Sequence, residues 1–240
     1  MEWRDEGVLL SVRKHGEGSA IIEVFTQTHG RHAGLVRGGG SRKMSPILQP
    51  GAQLSVEWKA RLEDHLGSYT IDPIKSRAVQ IMGDRAALAA MGAISALLCL
   101  GLPEREEHAR LYARTLDLVD ALGETPDWPA RYALWETSLL ADMGFGLDFS
   151  ECAATGGTQD LIYVSPRSGR AVSREGGKDY ADLMLPLPRF LRMDDPTDDR
   201  AAVTDALRTT GHFIETWLMP ALGRNKLPSA RGRLVTALRP

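Results

Sequence analysis

Six basic side chains, Arg31, Arg37, Arg42, Lys43, Lys59 and Arg61, fall between Gly30 and Arg61, a stretch with one acid, Glu57. The whole chain carries 29 basic and 31 acidic residues, so this stretch is a local positive stripe on a slightly acidic protein. The chemistry such a stripe could do is polyanion binding. Gly38-Gly39-Gly40 lies inside it. A mobile glycine run lets backbone N–H groups approach phosphates without a side-chain clash. A solvated hairpin loop is the alternative, and charge alone does not separate the two.

Catalytic patterns are weak by comparison. Gly34 to Ser41 lacks the Gly-Lys-Ser/Thr of a nucleotide-triphosphatase loop, and the chain has no G-x-S-x-G nucleophile elbow. His29 and His32 are three apart but sit in an expected turn and strand, with no third metal ligand nearby. The acid pairs Glu106-Glu107, Asp194-Asp195 and Asp198-Asp199 read as solvated helix ends. No nucleophile, base and oxyanion donor assemble, so the sequence predicts no enzyme, no cofactor and no metal.

The elements that must hold the stripe are strands. Gly7–Val12, Ala20–Phe25, Arg31–Val36, Ala52–Arg61 and Leu66–Ile71 read as five short strands separated by turns. In the fourth, Leu54, Val56 and Trp58 alternate with Ser55, Glu57, Lys59 and Arg61, which predicts one buried and one wet face. Five strands in this length suggest an OB-fold, a common single-strand binding scaffold. Trp58 and Phe25 read as core residues or stacking platforms.

Near residue 76 the pattern turns helical. Asp84 is an expected cap for a helix to Leu100, and Glu104–Leu122 reads as a second. Asp127 is expected to cap a third, with Pro129 in its first turn and a Tyr132/Trp135/Leu139 stripe. LIYVSPRSGRAVS reads as a hairpin with residues 166–169 at its tip, and Asp198 as the start of a helix to Leu218. The Tyr132/Trp135/Leu139 stripe reads first as helix core and, as the alternative, as a partner groove, for which Arg131, Tyr132 and Trp135 are the candidates. The tail Arg224–Pro240 holds Arg224, Lys226, Arg231, Arg233 and Arg239 and no acid. It is a further candidate phosphate or peptide contact, or a frayed end.

The resulting fold class is α+β: an N-terminal OB-fold β-barrel over 1–78, then an α-helical domain over 79–240 with a small non-zinc hairpin insertion. Two cysteines, Cys99 and Cys152, support neither a disulfide framework nor a zinc set. The start MEWRDEG is charged from its second residue, and no apolar run is long enough to cross a bilayer. A cytoplasmic protein without membrane contact is expected.

An ordered set of residues resembles a known family. It runs through Gly7-Val8-Leu9-Leu10, Gly16-Glu17, Phe25-Thr26, His29-Gly30, Gly34-Leu35-Val36-Arg37-Gly38 and Leu48-Gln49-Pro50-Gly51. It resumes at Leu139-Leu140, Gly144-Phe145, Cys152-Ala153 and Tyr163-Val164-Ser165-Pro166, and ends at Leu227-Pro228-Ser229-Ala230-Arg231. The set is similar to the RecO family of bacterial DNA repair and recombination mediators. The resemblance implies a non-enzymatic protein of the RecF pathway that binds single- and double-stranded DNA and anneals complementary strands. It implies partners: RecR, the acidic C-terminal tail of single-stranded-DNA-binding protein and, indirectly, RecA. Localisation would be cytoplasmic and nucleoid-associated. Some members carry a four-cysteine zinc module in the region matching about 147–175. Here Cys152 stands alone and Thr155 occupies the C-x-x-C partner position. A purely structural adaptor without DNA contact is the competing reading.

Overall fold

The computed structural model describes residues 1–239; Pro240, the last residue of the expected basic tail, lies outside them. The chain forms two compact units, Met1–Gly123 and a second beginning at Glu124. No helix among the described residues is long and apolar enough to cross a membrane.

The first unit is built on β1 (Glu2–His15), β2 (Ser19–Thr26), β3 (Gly30–Val36), β4 (Gln53–Lys59) and β5 (Ser68–Lys75). They close into a barrel in the order β1-β2-β3-β5-β4. Every pairing is antiparallel except β3 with β5. This is an OB-like barrel, as the strand count predicts. The alternation in β4 holds: Leu54, Val56 and Trp58 are buried, and Lys59 is exposed. Trp58 is a core residue because barrel closure leaves its face no solvent, whereas Phe25, on the opposite face of its strand from Val24, is buried against the Tyr112 ring at 5.5 Å. The Trp58 indole N–H donates to the Leu66 carbonyl at 3.0 Å, so this large side chain is buried with its polar atom satisfied.

Three helices pack onto the barrel: α1 (Ala78–Gly83), α2 (Arg85–Gly101) and α3 (Ala109–Ala121). The Asp84 carboxylate caps α2 through Ala86 N–H at 2.7 Å, as expected. The second helix begins five residues later than Glu104, because residues 104–106 are held against the barrel. Arg31 and Glu104 form a β-bridge, and Arg105 N–H donates to the Arg31 carbonyl at 2.9 Å. Gly30 makes this approach possible: its φ is +61°, and a Cβ there would sit 1.8 Å from the Glu106 carbonyl oxygen. The buried Arg77 guanidinium reaches the Gly51 carbonyl at 2.8 Å and Asp120 at 2.5 Å. The barrel strands end at Lys75, while the compact unit continues through α3 to Gly123.

The second unit centres on α4 (Trp128–Asp142) and α6 (Arg200–Phe213). Pro129 sits in the first turn of α4, as expected, and Asp199 rather than Asp198 caps α6. After α6 the chain widens into a π-helical segment, Ile214–Leu218, then α7 (Met219–Ala221). Pro220 has no N–H to continue the α pattern. The expected hairpin is present as β6 (Leu161–Val164) and β7 (Ala171–Ser173). A third strand, β8 (Leu185–Pro186), completes a sheet ordered β7-β6-β8. The short α5 (Arg189–Met193) follows it, and α8 (Ser229–Leu238) ends the unit.

Cys152 anchors the hairpin insertion. Its sulfur accepts hydrogen bonds from Ser173 N–H at 3.2 Å and Ser173 O–H at 3.3 Å. Burial opposes ionisation of this thiol, but the bonds from Ser173, Thr155 and the Ala154 backbone outweigh it and bring the pKa down to about 6. Among the described residues no group of three or more His, Cys, Asp or Glu side chains is placed to hold a metal ion.

A buried charge pair ties three helices together. Arg231 of α8 donates from Nε to Glu136 Oε1 at 2.7 Å and from Nη2 to Glu136 Oε2 at 2.8 Å. Thr210 of α6 donates to the same carboxylate at 2.5 Å, and Arg231 also reaches the Leu207 carbonyl. Arg231, a member of the expected surface tail, is therefore a core residue. Glu136→Ala would strand a buried guanidinium and is expected to cost about 3–5 kcal/mol in urea unfolding. Glu136→Leu with Arg231→Met should cost less than either single change.

His32 lies inside the first unit, edge-on to Trp58 at 4.8 Å. Burial is the main cause that pushes its pKa down to about 4, against the bond to the Ala33 carbonyl, which raises it. Unfolding returns the imidazole to its ordinary value of 6.5, so the unfolded state binds more protons between the two values. Stability is full above this window and falls as pH drops through it, by up to roughly 3 kcal/mol from this group. His32→Gln is expected to flatten the change in denaturant midpoint between about pH 7.5 and about pH 4.5 relative to the parent protein.

Candidate nucleic-acid interface

The barrel sorts the six stripe cations into two classes. Arg31 points into a partly buried network. Its guanidinium lies 2.5 Å from Glu23 and donates to the Leu102 carbonyl at 3.0 Å, with Glu104 at 3.4 Å. The side chain is only 12% exposed, so its charge is spent inside the fold. Lys59 is half exposed but paired with both Glu57 and Glu2. The Glu57 contact raises the lysine pKa and lowers that of the carboxyl. Neither cation is presented to a polyanion without first losing an acid.

Arg37, Arg42, Lys43 and Arg61 are exposed and form no ion pair with a described acid. Topology brings their segments to one end of the barrel. Leu35 of β3 pairs in parallel with Ser68, and Ser68 also faces Lys59 of β4. The Leu35 N–H donates to the Gly67 carbonyl at 3.1 Å. The β4–β5 connection carrying Arg61 therefore lies beside the exit of β3 carrying Arg37. The β1–β2 turn meets the same end, because Lys14 pairs with Ala20 and Ala20 with Val36.

This pairing adds two cations to the patch that the stripe did not include. Arg13 and Lys14, at the end of β1, are exposed and free of ion pairs among the described residues. In sequence they precede the stripe by more than a strand, and only the β1–β2–β3 register reveals them.

The glycine run is ordered by its own bonds. Gly39 N–H donates to the Val36 carbonyl and Gly40 N–H to the Gly18 carbonyl, both at 3.2 Å. Ser41 N–H returns to Gly38 at 3.0 Å. The expectation that these N–H groups stand ready for phosphates is corrected for Gly39 and Gly40, whose donors hold the loop against the β1–β2 turn. The glycine at 39 answers a packing need: a Cβ there would lie 2.8 Å from the Ala20 Cβ. What the loop presents is side chains: Arg37 before it, and Arg42 and Lys43 after it.

Comparison with known proteins finds two family models, meeting just after the barrel rather than at the edge of the compact units. A model described as Recombination protein O N terminal matches residues 1–77, and one described as Recombination protein O C terminal matches 82–231. The chain belongs to the RecO family. It is 56% identical over 238 residues to the DNA repair protein RecO of Ruegeria sp. (strain TM1040), covering 99% of this chain and 98% of that one. It is 57% identical over 235 residues to the DNA repair protein RecO of Roseobacter denitrificans, covering 98% and 97%. RecO of Jannaschia sp. (strain CCS1) is 54% identical over 239 residues, covering 99% and 96%.

The peptide-groove candidates on the second unit of this RecO-family chain separate as well. Arg131 is 40% exposed and bonded to Asp127 one helical turn earlier, at 2.8 Å. Tyr132 and Trp135 are buried at 0% and 1%. Their rings face each other at 5.7 Å inside the unit, because the α4 stripe is the helix face turned to the core. They cannot floor an open groove in this conformation.

Stability separates the two classes of stripe cation. Arg31→Ala leaves the Glu23 carboxylate poorly solvated and is expected to cost about 2–3 kcal/mol. Arg42→Ala is expected to stay within about 0.5 kcal/mol. Thermal melts of the two variants check both values.

Proposed function

We propose that this chain is a DNA-binding recombination mediator in DNA repair, acting in the RecF pathway without catalysis. It binds and anneals single-stranded DNA, contacts double-stranded DNA, and helps load RecA together with RecR and single-stranded-DNA-binding protein. Its place is in the cytoplasm, with the nucleoid. The observation that carries this reading is the set of exposed, unpaired cations gathered at one end of an OB-like barrel in a RecO-family chain. The relatives named as DNA repair proteins support it.

Arg37, Arg42, Lys43 and Arg61 are the proposed phosphate contacts, extended by Arg13 and Lys14. Their chemistry predicts weakly sequence-dependent binding dominated by counterion release. Two strands held near one charge-neutralised surface repel each other less, which favours annealing. Arg31 and Lys59 act behind this surface, fixing β3 and β4 through their acid partners. For the acidic tail of single-stranded-DNA-binding protein, the proposed basic contacts are Arg131 or, as an alternative, the exposed cations Arg224, Lys226 and Arg233. Tyr132 and Trp135 hold α4 in place from the core.

Fluorescence anisotropy of a labelled single-stranded oligonucleotide across a salt series tests the main reading. With six side-chain contacts, log Kd is expected to change with log salt with a slope of about 4. Arg37→Glu with Arg42→Glu should weaken binding at least tenfold, on the order of 1.4 kcal/mol or more, and leave the melting temperature unchanged. Undiminished binding by a folded double variant would remove the loop from the interface. No binding by the parent protein at low salt would favour the adaptor reading.

A further inference from the structure

We infer that a groove on the second unit, between β8, α5 and the start of α6, docks a basic peptide segment through an apolar anchor side chain. The groove has a volume of about 620 Å³ and lies wholly within this unit. Its floor includes Leu187 and Phe190, which are buried, and its wall includes Met193, which is half exposed. A partly open apolar wall over a buried floor suits one or two inserted aliphatic or aromatic side chains.

The rim sets the charge of the occupant. Asp195, Asp199 and Asp205 all line the groove, with Arg189 as the lining cation. Asp194 and Asp198 flank it in sequence; Arg192 and Arg200 are the nearby bases. The Asp199 carboxylate is occupied by Ala201 N–H and Ala202 N–H at the start of α6. Asp205 has no such role. It stands beyond the first helical turn, where the helix dipole gives an acid little support. It also shares a face with Ala201, four residues earlier, and both line the groove. Pro188 and Pro196 add wall without any backbone N–H donor. The lining thus holds three carboxylates against one guanidinium, a net negative rim that complements Lys and Arg side chains on an extended peptide. The same rim repels phosphates and acidic peptides, so this surface is separate in chemistry from the cation patch of the barrel.

The test uses the full chain and a labelled synthetic hexapeptide, Lys-Arg-Leu-Phe-Arg-Lys. Two control peptides replace Leu-Phe by Ser-Ser, or all four bases by Glu. Saturable anisotropy with the first peptide is expected, weakened at least about tenfold by either control. Asp195→Lys with Asp205→Lys, and separately Ala201→Trp, should each weaken it by a similar factor while the circular dichroism spectrum and DNA binding stay unchanged. Equal binding of the Ser-Ser peptide, or indifference to Ala201→Trp, would reduce the contact to surface charge and overturn the proposal. Absence of saturable binding would also overturn it. So would a dimer in sedimentation that the groove variants dissociate, since the occupant would then be a second copy of this chain.

Discussion

Closure of the barrel through the parallel β3–β5 pairing decides where the exposed charges of the first unit end up. An open sheet would leave the β4–β5 connection and the exit of β3 at separate edges. Closing it brings Leu35 to Ser68 and, through Ser68, to Lys59. The same closure commits Trp58, Tyr69 and His32 to a shared aromatic interior. Arg105 then lies over Trp58, 5.9 Å from the ring, and bonds the Glu63 and His65 carbonyls of the β4–β5 connection. The loop bearing Arg61 is therefore fixed by a residue supplied by the non-helical connection between α2 and α3.

Charge is divided with some economy in both units. Cations close to acids on neighbouring strands or helices are used to hold the fold: Arg31 with Glu23, Arg77 with Asp120, Arg231 with Glu136. Desolvating such groups is costly unless geometry and hydrogen bonds compensate, and each of these guanidiniums also reaches a backbone carbonyl. Cations without such an acid nearby face water, where desolvation is small and a polyanion can displace counterions. The difference lies in location, since the residue types are the same.

The hairpin insertion is held by hydrogen bonds to a buried cysteine and by strand pairing. Cys152 receives two bonds from Ser173, and β8 adds a third strand to the sheet. Two further bonds, from Ala153 N–H to the Ala171 carbonyl and from Asp148 N–H to the Gly169 carbonyl, stitch the preceding loop to the hairpin.

Local patterns in the chain set the barrel strands, the α2 cap at Asp84 and the proline in the first turn of α4. These are local: period-two alternation, capping and turn chemistry act over a few residues. Family membership was also legible, because an ordered set of short motifs spans the chain. The fate of individual charges was not. Arg31 and Arg37 look alike in sequence, yet one faces Glu23 across the β2–β3 pair and the other leaves the barrel. Arg231 looked like part of a basic tail until α8 packed beside α4 and α6. Arg13 and Lys14 joined the cation patch only through strand register. Tertiary structure decided these cases because solvation and pairing depend on neighbours distant along the chain, which a local pattern does not encode.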